Sequence, residues 1–166
     1  MDEITQLIFK MTEYFEGDPK RIQHFIKVHT FAKLIASGEN IDIKTRYCLY
    51  TASVVHDIGI KIAEEKYGKG HCGGKLQEQF GPEPAKEMLR KLDFDEDIIE
   101  RVCFLVGHHH TYEGVDGLDW QILLEADFLV NAYEDNLSKE SILSFRVKVF
   151  KTKTGTLLLN DMFALI

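Results

Sequence analysis

Cysteine is scarce in this chain of 166 residues: Cys48, Cys72 and Cys103 are an odd number with no C-x-x-C pair, which argues against a disulfide framework or a cysteine-rich zinc site. Long apolar runs are missing as well. None approaches the ~20 residues that a bilayer requires, and the N-terminus, Met1-Asp2-Glu3, is acidic where a secretory leader would be basic. The expectation is a cytoplasmic protein with no membrane partner. Basic charge is in the minority: 20 Lys and Arg against 27 Asp and Glu leave a net charge of −7, which argues against nucleic acid as a partner. Runs of alternating apolar and polar residues, the mark of half-buried strands, are also absent.

What is present is helical periodicity. Ile4, Leu7, Ile8, Met11 and Phe15 form one stripe over residues 3–16, and Gly17-Asp18-Pro19 stops that helix and caps the next, which runs to Ser37 and Gly38. Asp42 is the expected N-cap of a third helix over 43–58, ending in His56-Asp57-Ile58-Gly59. Residues 66–81 hold five of the twelve glycines and few large apolar side chains, so they are expected to form a long loop, either a lid or a plain linker. Further helices are expected over 82–92, from 96 toward Gly107-His108-His109-His110, over 118–134, and from Ser138 to Lys151, followed by a short apolar tail. The fold class is all-α, and a chain of this length with 45% hydrophobic residues makes one domain, 1–166.

The informative abundance is histidine, of which there are seven. His56-Asp57 puts an imidazole and a carboxylate side by side where a helix gives way to a turn, a donor pair suited to Zn, Fe or Mn rather than Ca. Taken alone the dipeptide is weak evidence. Upstream, His24 shares a helix face with Val28, Phe31, Ala32 and Ile35 and so points toward the core. His29, five residues on, lies on a different face and is expected to be structural. Downstream, Asp127 lies in the run Leu123-Leu124-Glu125-Ala126-Asp127-Phe128-Leu129-Val130, where an unpaired buried carboxylate would cost several kcal/mol.

His24, His56-Asp57 and Asp127, in that order on successive helices, resemble the H…HD…D signature of the HD superfamily of metal-dependent phosphohydrolases. The resemblance spans residues ~20–130, with the helices of 138–166 packed on that core. It implies an HD-type helical domain in which His24, His56, Asp57 and Asp127 hold a metal. Two-metal members add histidines between the HD pair and the last aspartate, and His108 and His109 resemble these, with His110 one residue out of register. Asp57 and His108 are the residues expected nearest the chemistry. Just before Gly81-Pro82, where the family often has a histidine, stands Gln77-Glu78. Glu78 is the expected oxygen ligand there, and His71 beside Cys72 is the alternative. The family form HD-x-G-K also fails, since Ile60 holds the lysine position and Lys61 follows, so a phosphate contact from Lys61 is weakened.

The resemblance implies one or two divalent transition ions, Fe, Mn, Zn, Co or Ni, and hydrolysis of a phosphate ester in a small metabolite or nucleotide. Lysines near the glycine loop (Lys61, Lys66, Lys69) and basic residues near the C-terminus (Arg146, Lys148, Lys151, Lys153) are candidate phosphate contacts, and Tyr112 and Trp120 are candidates for stacking on a base. A diiron oxygenase and a non-catalytic binding module are the alternatives. An oligomer is compatible with everything above.

Overall fold

Helix starts are written by caps. In the computed structural model, which describes residues 1–165, the side chains of Asp2, Asp18, Asp42, Ser138 and Thr152 each accept a hydrogen bond from a backbone N–H of the first turn. Ile166, the last residue of the expected C-terminal segment, lies outside the described residues. Those caps open α1 (Glu3–Tyr14), α2 (Pro19–Gly38), α3 (Ile43–Val55), α9 (Lys139–Val149) and α10 (Lys153–Phe163). Between them lie α4 (Gly59–Tyr67), α5 (Gly74–Phe80), α6 (Pro82–Lys91), α7 (Glu96–Val106) and α8 (Leu118–Glu134), and no strand occurs among the described residues.

The all-α expectation holds, and α8 is its axis. Every residue of α8 from Asp119 to Val130 is buried, as expected of a helix enclosed on all sides. It packs mainly against α2 and α3, and α3 packs in turn on α7. The resulting core is one continuous set, from Leu7 and Met11 of α1 through Phe25, Val28 and Ile35 of α2 to Leu123 and Leu129 of α8 and Leu159 of α10. No helix among the described residues is long and apolar enough to cross a membrane.

Three local expectations are corrected. The third helix does not run to residue 58: it ends at Val55, and Gly59 begins α4 instead of closing α3. A Cβ on Gly59 would stand 2.6 Å from the Gly81 nitrogen and 2.7 Å from the Gln77 carbonyl oxygen, so α4 starts with its backbone pressed against the α5–α6 junction. The stretch 66–81 is not a long loop: α4 runs on to Tyr67, α5 occupies Gly74–Phe80, and only 68–73 lies between them. Gly74 serves close approach rather than mobility there, because its Cβ would meet the His110 ring at 2.8 Å. Finally, the apolar tail is the helix α10.

Glu125 explains how α10 is held. Its buried carboxylate faces away from Asp127 and accepts hydrogen bonds from Gln121 Nε2 (2.7 Å), Lys151 N (2.7 Å), Thr152 N (2.9 Å) and the Thr152 hydroxyl. A charge that would otherwise be costly inside α8 thus fastens the turn between α9 and α10.

A candidate metal centre

His24 enters from the first turns of α2, His56 and Asp57 from the turn after α3, and Asp127 from the middle of α8. Their polar atoms meet at one point. His24 Nε2 lies 3.3 Å from His56 Nε2, 3.1 Å from Asp127 Oδ1 and 3.3 Å from Asp57 Oδ2. His56 Nε2 is 3.5 Å from both Asp57 Oδ2 and Asp127 Oδ1. All four residues are largely or wholly enclosed, and His56 is fully buried.

The outer nitrogens decide what this cluster wants. His56 Nδ1 donates to the Ser53 carbonyl at 2.9 Å, and His24 Nδ1 donates to Glu134 Oε1 at 2.5 Å. With Nδ1 donating outward, each ring in its neutral form turns the lone pair of Nε2 inward, onto another nitrogen lone pair and two carboxylates. Such a set repels itself unless a positive charge lies among it. Donors around a transition ion, held at about 2.0–2.2 Å, stand roughly 3.0–3.5 Å from one another, which is the spacing found. His24, His56 and Asp57 together could hold a divalent ion, and Asp127 Oδ1 adjoins them at 3.1 Å from His24 Nε2, with Glu134 and the Ser53 carbonyl behind the rings.

Titration behaviour carries the same message. Burial works against a charged His24, but its hydrogen bonds to Asp127 and Glu134 and the nearby Asp57 charge outweigh it and push it up to about 10. Burial likewise works against ionised Asp57 and Asp127. For Asp57 the His56 charge, the bond to His109 and the His24 charge hold the carboxyl below its ordinary range. The bonds to His24 and His56 do so for Asp127. The pocket is built for negative groups around a positive one.

A second group adjoins the first through Asp57, whose other oxygen, Oδ1, lies 3.4 Å from His109 Nε2. Asp57, His109 and His110 form this group. His109 Nδ1 donates to the Val106 carbonyl at 2.7 Å, which again turns Nε2 toward the cluster. His108 does not join it: its ring stacks on Phe104 at 4.1 Å and meets Trp120 edge-on, and its Nδ1 is tied to the Phe104 carbonyl. Residues 107–110 turn after α7 ends at Val106, and that turn aims 109 and 110 inward and 108 aside.

Glu78 lies outside both groups as well. Its Oε1 accepts from His110 N at 2.9 Å and from the Thr111 hydroxyl at 2.8 Å, so it braces the histidine turn from behind. His71 is exposed on the loop before α5. Lys61 is turned to α1, where its Nζ donates to the Tyr14 carbonyl at 3.0 Å and covers the Tyr14 ring. His29 is structural, bonded to Ser53 Oγ at 2.9 Å. Trp120 is buried, with Nε1 donating to the His108 carbonyl, whereas Tyr112 is 44% exposed. Burial and the charges of Asp127 and Glu78 push Tyr112 up to about 12.

Two site residues escaped the sequence reading. Glu134 follows Asp127 by seven residues on one face of α8, and that spacing was a usable signal. Gln77, whose Oε1 lies 3.1 Å from His109 Nε2 and 2.7 Å from His110 Nε2, carries no such signal, since an amide side chain is ambiguous until the fold aims it.

Residues 21–146 match the family model for the HD domain, and the chain belongs to that family. No curated protein and no solved structure shows significant similarity to it.

Proposed function

We propose that this HD domain protein is a metal-dependent phosphohydrolase acting on the phosphate ester of a small metabolite or nucleotide. The observation that carries the reading is the convergence of His24 Nε2, His56 Nε2, Asp57 Oδ2 and Asp127 Oδ1 with their lone pairs facing inward. A divalent ion held there supplies Lewis acidity toward a phosphoryl oxygen and lowers the pKa of water. The chain contributes what surrounds that chemistry. Ser53 and Glu134 fix the imidazole tautomers, and Asp57 presents one oxygen to each half of the cluster. The enclosed position of Asp127 and His56 limits bulk water, which strengthens every charge interaction at the site. An anionic substrate and a chain of net charge −7 repel each other at long range, and a cation at the centre offsets this locally.

The test is release of inorganic phosphate from a panel of phosphorylated metabolites and nucleotides, with metal-stripped protein reloaded with Mn, Fe, Co, Ni or Zn. Turnover of at least one ester with one ion, lost in Asp57→Asn, is the expected result. Retention of metal by the wild-type protein with no ester turned over under any loading would overturn the phosphohydrolase reading and leave metal binding in place.

A further inference from the structure

The half of the cluster that faces α5 contains an oxygen donor with no assigned role. Gln77 reaches it from the middle of α5, and the direction of its amide is settled by its own hydrogen bond: Nε2 donates to the Cys72 carbonyl at 2.7 Å. Oε1 is therefore the inward end. It lies 3.1 Å from His109 Nε2 and 2.7 Å from His110 Nε2. Asp57 Oδ1 approaches the same His109 nitrogen at 3.4 Å. In the tautomer that the Val106 carbonyl imposes on His109, a nitrogen lone pair confronts a carboxylate oxygen and an amide oxygen, and a cation relieves that conflict. The spacings fall close to those of donors sharing one ion at about 2.0–2.2 Å.

We propose that Gln77 Oε1 completes a second divalent-ion position with Asp57 Oδ1, His109 and His110, and that its neutral amide makes this position the weaker of the two. The proposal rests on the reading of His24, His56, Asp57 and Asp127 as an ion site. That first position commands Asp127 and Asp57, and Glu134 stands behind His24. The second has only the shared carboxylate of Asp57 and takes an uncharged oxygen where a charged one would bind more tightly. Occupancy is then sequential, with the α8 side filled before the α5 side.

Chelator-stripped protein titrated with Mn(II), with the free aqueous ion counted by its electron paramagnetic resonance signal, reads this directly and needs no substrate. The wild-type protein is expected to show two classes of ion, separated at least tenfold in affinity. Gln77→Ala should weaken the second class at least tenfold and leave the first within twofold. Gln77→Glu, nearly isosteric and so the safer variant for folding, should tighten the second class at least tenfold. Wild-type protein that binds one class only, or a weak class that neither substitution moves by more than twofold, overturns the proposal. Absence of the tight class would instead refute the primary ion site.

Discussion

His24 joins two roles in one ring: its inner nitrogen faces the cluster and its outer nitrogen is tied to Glu134 at the far end of α8. Glu134 is thereby a positioning residue. It orients the imidazole and raises its basicity without touching the point where the donors converge. Glu134→Ala should weaken ion binding by about 10–100-fold, measured by competition with a chromophoric chelator. Glu134→Gln keeps an acceptor oxygen for Nδ1 and should lose less. An equal loss in both variants would point to the charge of Glu134 rather than to its hydrogen bond.

At the same scale the sequence showed its limits. The order His24, His56-Asp57, Asp127 was readable because His24 and Asp127 stand on helices whose apolar residues are visible in the sequence and His56-Asp57 follows directly on a third. The choice among His108, His109 and His110 was not, because α7 stops before them and periodicity says nothing about a turn. Glu78, the expected ligand, turns aside for a related reason: neighbours on a helix point about 100° apart, so the placing of α5 decides that Gln77 faces His109 while Glu78 braces the turn behind it.

Two features govern the neighbourhood of α4 and α5, and each makes a prediction at the scale of the element. Gly59 lets α4 begin against the backbone of Gln77 and Gly81. Gly59→Ala has no flexible side chain to displace there, so the helices must separate. The expected cost is about 1–3 kcal/mol, read as a lowered midpoint in thermal or urea unfolding. A weakened Mn(II) interaction should accompany it, because Asp57 precedes Gly59 by two residues and Gln77 lies across the same contact. An unchanged unfolding midpoint would show that the junction is looser than its geometry implies.

The second feature is the clamp on residues 68–73. Glu64 of α4 accepts from the Gly70 amide at 2.9 Å and from Arg21 at 2.9 Å, and so binds the glycine segment to α2. Burial alone would raise this carboxyl, but the Gly70 hydrogen bond and the Arg21 charge outweigh it and hold it below its ordinary 4.5. The sign follows from linkage. A depressed folded-state pKa gives stabilisation that is present above 4.5 and lost as pH falls through the lower folded value. The Gly70 amide resonance should therefore shift with a midpoint below 4.5, and Glu64→Gln should abolish that step and loosen the segment at neutral pH. A midpoint at or above the ordinary value would show that the clamp does not hold in solution. Glycine content marked this stretch as irregular, yet close packing at Gly74 makes half of it helical, a tertiary demand that composition does not record.

For the molecule as a whole, the candidate centre is also a structural joint. Its donors come from α2, from the turn after α3 and from α8, the three helices that form the middle of the core, with His109 adding the end of α7. Without a cation these helices press like-natured groups together: the Nε2 atoms of His24 and His56 stand 3.3 Å apart between two carboxylates. An ion that binds the folded chain and not the unfolded one stabilises by mass action. At 100 times its dissociation constant the gain is about 2.7 kcal/mol, which for a chain of this size corresponds to a rise of about 5–11 °C in the unfolding midpoint. Thermal unfolding of chelator-treated protein with and without added Mn(II) or Zn(II) measures this. Asp57→Asn, which removes the carboxylate shared by both halves of the cluster, should keep the helical signature in circular dichroism and lose most of the metal-dependent rise. A substitution at the distant Arg101–Asp116 pair should keep that rise while shifting both curves together, because it touches none of the donors. If added ion leaves the wild-type midpoint unmoved, the convergence of α2, α3 and α8 on this point has a cause other than an ion, and the buried protonated His24 would be the counter-charge that holds the carboxylates in place.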